Sequence, residues 1–215
     1  MEKNTDNLMH EMLKYLSQID YVHPEDIPDI DLYMDQVTTF IDQHLSSTKR
    51  YPSDKLLTKS MINNYAKNNL LPPPNKKKYS KEHILLLIYI YYFKNFLAIN
   101  DIKDILDPVS NLFFDGNGSK KMDDIYSDIV NLILENMDSQ LRDIIRKSNK
   151  SNKLYSELSD EDEKKTLSKF AFICMLSFDV WVKKTIIENL VDDTLGKKKN
   201  TVSSNSSNTK AKKNK

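Results

Sequence analysis

Ten consecutive apolar residues, ILLLIYIYYF from Ile84 to Phe93, are the longest unbroken hydrophobic run in the chain, and they end at Lys94. Spanning a bilayer takes about 20 such residues, so this run predicts a core helix buried on every side and no membrane span. A helix with no polar face has to be wrapped by other elements. The chain's 215 residues are enough to supply them. Glycine is scarce (three residues) and apolar residues recur at helical spacing through most of the sequence, so the expected class is mostly α.

On the N-terminal side, Leu8, Met9, Met12, Leu13, Leu16 and Ile19 predict a first amphipathic helix, broken by Pro24 and Pro28. A second helix is expected from about Asp35 to Leu45, with Val37, Phe40, Ile41 and Leu45 facing inward. After the connector SSTKRYPSD, Thr58 can cap a third helix whose inner side is Met61, Ile62 and Tyr65. Asn68 and Asn69 suit a left-handed exit from it, and Pro72 forbids its resumption. Pro72 to Tyr79 reads as an extended ribbon or short hairpin. Ser80 then caps the apolar helix, expected to reach about Leu97.

Asn100 caps a short helix, DIKDIL, which Asp107 and Pro108 should end. DGNGSK (115–120) reads as a joint. Met122, Ile125, Ile129, Leu132, Ile133, Met137, Leu141, Ile144 and Ile145 mark a long amphipathic helix, followed by a loop over 148–163. A last helix is expected from Lys164 to Leu195, apolar nearly all round at FAFICMLSFDVW and so expected to be buried on more than one side. Residues 196–215 cannot bury anything and should be disordered.

The net charge of +1 conceals segregation. Residues 1–48 carry two Lys against ten Asp/Glu, whereas residues 49–94 carry ten Lys/Arg against Asp54 and Glu82. The first block is therefore −8 and the second +8, a local basic patch of the kind phosphate backbones attract. The exposed side of the 58–68 helix offers Lys59, Ser60, Asn63, Asn64 and Lys67. Asparagine can pair bidentately with adenine in the major groove, while lysine holds phosphates. Lys76, Lys77 and Lys78 present further charge on a ribbon stiffened by Pro72 to Pro74. Tyr65 and Tyr79 read either as core aromatics or as residues whose hydroxyls reach phosphate.

Capped helix, proline turn, lysine ribbon, apolar helix and short helix stand in an order that resembles the MerR-type winged helix-turn-helix, over roughly Tyr33 to Leu106. INNYAKNNLLPPPNKKKYSKEHI is the sharpest part, with Tyr65, Leu70, Leu71, Pro72, Lys78 and Tyr79 where that pattern places them. With DLYMDQVTTF upstream, the wording is similar to that of an uncharacterised bacterial family of MerR-like proteins. Asn63 stands where better-known members carry an arginine. The resemblance implies an N-terminal helical extension (1–30), a winged helix-turn-helix (31–107), a C-terminal helical region (108–195) and a basic tail (196–215).

For function, the same resemblance implies sequence-specific binding of double-stranded DNA by a cytoplasmic, homodimeric transcriptional regulator, with room for an unknown small-molecule effector. Thr58, Lys59, Ser60, Asn63, Asn64, Tyr65, Lys67, Lys76, Lys77, Lys78 and Tyr79 would form the DNA face. Phe170, Phe178 and Trp181 would pair the protomers; with Phe172 they could instead line a ligand pocket or a bundle core. The alternative from another class is a helical protein-interaction adaptor that has lost DNA binding.

No cofactor motif or catalytic constellation is discernible, so an enzyme is not expected. DGNGSKKMDDIY fails as a calcium loop, because Lys120 replaces the glycine and Tyr126 the glutamate. His10, His23, His44 and His83 lack metal-ligand spacing, and no metal is expected. Cys174, the only cysteine, fits a reducing compartment. Lying among Phe172, Met175 and Phe178, it reads as a buried structural thiol.

Overall fold

The apolar run forms the centre of the molecule. In the computed structural model, which describes residues 22–114 and 118–194 together with Lys14, it is the helix Lys81–Phe93. Leu85, Leu86, Leu87, Ile88 and Ile90 are all fully buried, and along the middle of this helix only Tyr89 is partly exposed. Its wrapping comes from a strand Leu32–Tyr33 (β1), a helix Met34–His44 (α1), a helix Lys59–Lys67 (α2) and a strand Lys78–Tyr79 (β2). The central helix is therefore α3, and helices Ile99–Phe114 (α4), Met122–Leu154 (α5) and Glu161–Thr194 (α6) come after it. The expected first helix over 8–19 and the tail over 196–215 lie outside the described residues, Lys14 apart.

Local chemistry sets most of the boundaries. The Tyr33 amide donates to Gln36 Oε1 at 2.8 Å where α1 starts. Thr58 Oγ1 accepts the Met61 amide at 3.2 Å, satisfying a donor that the first turn of α2 would leave unpaired. At the other end of α2 the Leu70 amide donates to the Tyr65 carbonyl at 2.8 Å and the Asn69 amide to that of Ala66 at 3.2 Å. These paired bonds, with Asn69 at φ 55°, form a Schellman exit. Leu70 and Tyr65, the positions at which such an exit places its apolar contact, are both buried. Ser80 caps α3, its amide donating to His83 Nδ1 at 3.1 Å. Burial holds the His83 imidazole below its usual pKa, against the opposing pull of the Pro73 carbonyl and the Glu82 carboxylate.

The connector from Leu45 to Thr58 is anchored. Leu45, Leu56 and Leu57 are buried, the Thr48 and Tyr91 hydroxyls bond each other, and Lys94 Nζ donates to the Leu56 carbonyl. β1 and β2 pair antiparallel, Leu32 opposite Tyr79 and Tyr33 opposite Lys78, so the segment before α1 is fixed to the segment before α3.

Three boundaries differ from those expected by a full turn or more, and α4 starts at Ile99, ahead of the expected cap Asn100. Pro108 lies inside α4 rather than ending it. Buried Ile102 and Leu106 give that helix an apolar face, and packing of that face offsets the hydrogen bond that proline removes, at about 3 kcal/mol. α3 stops at Phe93 instead of near Leu97, with Lys94 turned back onto Leu56. α5 runs on to Leu154, through the polar stretch expected as a loop, because Ser148 and Ser151 are small enough to be buried there.

The exit of α2 supplies a direct check. Asn69→Gly should leave stability unchanged or slightly raised, since glycine adopts positive φ freely, whereas Asn69→Val should lower it by about 1–3 kcal/mol. Urea denaturation of both variants measures this, and equal stabilities would mean that residue 69 is not held left-handed.

Candidate nucleic-acid interface

The surface is assembled from three segments that are distant in sequence. α2 buries Ile62 and Tyr65, which turns Lys59, Ser60, Asn63, Asn64 and Lys67 outward, all exposed. Thr58, half-buried, is occupied as the cap. The carboxamide of Asn68 donates to the Asn64 carbonyl at 2.8 Å, so Asn68 finishes the helix while the side chain of Asn64 is left to solvent.

Beyond the three prolines the chain reverses at Asn75–Lys78. The Lys78 amide donates to the Asn75 carbonyl at 2.9 Å, and Lys76 and Lys77 sit at φ 49° and 66°. Positive φ at both central residues defines a type I′ turn, in which Asn-Gly is the favoured pair. Two lysines occupy it instead. Both are exposed, so the turn costs backbone strain and returns no packing; what it presents is charge.

The third segment joins these two. Lys78 Nζ lies 5.2 Å from the centroid of the Tyr33 ring, a cation–π contact across the β1–β2 pair. Two residues further on, Asp35 pairs with Lys59 at the start of α2. Hairpin, start of α1 and start of α2 thus form one continuous surface. Tyr33 and Asp35 belong to it although no local sequence signal singles them out. They lie more than 40 residues from Lys78 and more than 20 from Lys59, and only strand pairing and helix packing bring them close.

Tyr65 and Tyr79 stand apart from the rest. Both are buried, 9% and 3% exposed, and burial raises both phenols above their usual pKa, so each remains a neutral core aromatic. They hold α2 and β2 in place from behind.

The C-terminal candidates lie elsewhere. α5 and α6 fold back on each other through residues 155–160, with Lys147 bridging Asp143 and Asp179 and with Ser148, Ser151 and Ser168 buried. On the face of α6 opposite Ser168 and Asp179, Phe170, Phe178 and Trp181 are 63%, 61% and 59% exposed. The Phe178 and Trp181 rings lie against each other, their centroids 5.5 Å apart. Cys174 shares this face and is exposed, not buried as expected: the aromatics around it in sequence also point outward.

A two-stranded sheet and six α-helices, one of them buried at the centre, with a lysine-tipped hairpin beside the outer face of α2, define a mostly helical class among the described residues. Residues 22–129 match the domain of unknown function DUF1836, and the chain belongs to that family. No curated protein and no solved structure matches it. Among the described residues no helix is long and apolar enough to cross a membrane.

If the two lysines are kept for charge, conformation and charge should separate by mutation. Lys76→Asn with Lys77→Gly should stabilise the protein by about 1–2 kcal/mol in urea denaturation, because both residues accept positive φ. A destabilised double variant would contradict the type I′ turn.

Proposed function

We propose that this chain is a MerR-like winged helix-turn-helix protein, a homodimeric transcriptional regulator that binds duplex DNA by sequence. α2 would be the recognition helix and residues 72–79 the wing. The observation that carries this reading is the continuous surface of hairpin tip, β1–β2 and α2. Among the described residues Lys67, Lys76 and Lys77 carry no ion pair there, and Asn63 and Asn64 are exposed on the same surface. Lysines of this kind supply phosphate affinity and register, and the asparagine amides supply adenine readout. Asp35 neutralises Lys59 and so moves the positive field toward the wing.

Homodimerisation is supported by the α5–α6 hairpin. Leu132, Phe170, Ile173, Phe178, Val180, Trp181, Ile186 and Leu190 each expose half or more of their surface. They lie on several sides of the hairpin, and the five on the outer side of α6, Phe170, Ile173, Phe178, Val180 and Trp181, at roughly 100 Å² apiece supply the larger part of the ~800 Å² per partner that a specific interface buries. They far exceed the scattered apolar residues of an ordinary monomer surface. A second copy provides the matching apolar face by symmetry, and two copies present two recognition helices to two half-sites.

Fluorescence anisotropy on a duplex taken from upstream of the protein's own coding sequence, titrated with salt, tests the DNA reading. Replacing Lys76, Lys77 and Lys78 by Ala should flatten the slope of log K against log salt by about 2–5 units in a dimer. An unchanged slope would place the wing away from DNA. Phe178→Asp tests the pairing without disturbing the fold of the single chain, in which Phe178 is exposed. It should convert a dimer to a monomer in sedimentation and reduce duplex affinity to that of one half-site. A wild-type monomer that binds duplex tightly would sink the dimer. A dimer with no salt-sensitive duplex binding would favour a helical protein-interaction adaptor.

A further inference from the structure

Three lysines of the basic block have their charge cancelled where they stand: Lys49, Lys59 and Lys81 each pair with a carboxylate. Lys78 is held differently. Its ammonium lies 5.2 Å from the centroid of the Tyr33 ring, and it makes no ion pair among the described residues. The two residues face each other across β1–β2, on the side of the pair opposite to buried Leu32 and Tyr79. Tyr33 is 53% exposed, so its ring is not there to fill the core.

The two kinds of partner have opposite consequences for an anion. A carboxylate fixes an ammonium but sets a negative charge beside it, which leaves little attraction for a phosphate. An aromatic face fixes the ammonium through its quadrupole and carries no net charge, so the whole positive charge stays available. Fixing matters because a free lysine stem must be ordered whenever its head group binds, and a stem already in place loses less freedom. The backbone of Lys78 is tied down as well. Its amide closes the turn onto the Asn75 carbonyl at 2.9 Å, and the next residue, Tyr79, is buried. Lys76 and Lys77, at the tip, are exposed and carry neither a ring nor a carboxylate partner among the described residues.

We propose that Tyr33 is a positioning residue for a phosphodiester contact of the hairpin. Its ring holds the Lys78 ammonium, charge uncancelled, beside the surface that continues through Asp35 and Lys59 to α2. The proposal rests on the duplex-binding reading above and adds a division of roles to it. Lys76 and Lys77 reach for the backbone, whereas Lys78 is a fixed charge that sets the register of the backbone against α2. The ring performs this task, and the Tyr33 hydroxyl is not required for it.

The test is a double-mutant cycle, read by fluorescence anisotropy with the full chain and the upstream duplex. Lys78→Ala should flatten the slope of log K against log salt by about 1 unit per protomer. Tyr33→Leu should weaken binding about two- to fivefold, and Tyr33→Phe, which restores the ring, should recover that loss. In the Lys78→Ala background Tyr33→Leu should have no further effect, whereas a ring that merely covered the β1–β2 pair would still show one. In the free protein, NMR should find the Lys78 ε-methylene protons shifted upfield by the ring current in the wild type and Tyr33→Phe, and not in Tyr33→Leu. Additive losses in the double variant, a Tyr33→Phe as weak as Tyr33→Leu, or no upfield shift in the wild type each overturn the proposal. A wild type that binds duplex no better than Tyr33→Leu overturns it alone. A wild type with no salt-sensitive duplex binding overturns the duplex reading, and this proposal with it.

Discussion

Everything in this fold answers to the absence of a polar face on α3. An ordinary amphipathic helix can lie against one neighbour with its other side in water, but Leu85 to Ile88 are four consecutive residues with no exposure at all. Each buried aliphatic side chain of this kind contributes about 1.5–3 kcal/mol if it is covered and opposes folding of the domain if it is not. Coverage has to come from several directions. α1 and α2 with the anchored connector lie to one side, and β1–β2, α4 and the root of α5 supply the rest. This wrapping also places the candidate interface. α2 is held in its orientation because Ile62 and Tyr65 are part of the core, which leaves Asn63 and Asn64 no option but solvent.

Much of this was legible in the sequence because it depends on local chemistry. Thr58 and Ser80 as caps, Asn69 at the left-handed exit, and Val37, Phe40, Ile41 and Leu45 inward all come from backbone sterics and a 3.6-residue period. Nonlocal facts were not legible. The proline rule concerns an isolated helix, so Pro108 reads as a stop, and only the packing of Ile102 and Leu106 reveals otherwise. Cys174 among aromatics looks buried if those aromatics are assumed to be core; in the folded chain they face away from α5 and carry the thiol with them. Within the candidate interface, the lysines and asparagines could be read directly. Tyr33 and Asp35 could not, since their roles arise from the β1–β2 register and from the docking of α1 on α2.

The charge of the basic block shrinks once the fold is known. Lys49 pairs with Asp42 at 2.6 Å, Lys59 with Asp35, and Lys81 with both Asp29 at 3.0 Å and Asp123 at 2.8 Å. Lys94 is turned inward, where burial depresses its pKa. Such pairs are worth little individually in water, but each removes a charge from those available to a phosphate. The acidic N-terminal segment thus supplies partners for the basic block that comes after it. Of the charge left without an ion pair among the described residues, Arg50 and Lys55 lie on the connector, and Lys67, Lys76, Lys77 and Lys78 gather at the end of α2 and the hairpin. That concentration, more than the bulk count of lysines, gives the surface a direction.

Lys81 also shows how the two halves of the molecule meet. It sits at the first turn of α3, three residues after the hairpin, and binds Asp123 at the first turn of α5. The pair ties the root of the long hairpin to the base of the lysine turn. Among the described residues, the buried cluster around α3 reaches Val130, one residue past the end of the 22–129 span shared with the family. Past Val130 the burial pattern changes abruptly, and Leu132, Ile133 and Leu134 of α5 are all exposed. The core is thus closed on that side by the first turns of α5, next to the end of the shared span. The middle of the hairpin carries large apolar side chains that this core does not use, whereas the end of α6 returns to it: Ile187 packs against the core and Val191 is buried.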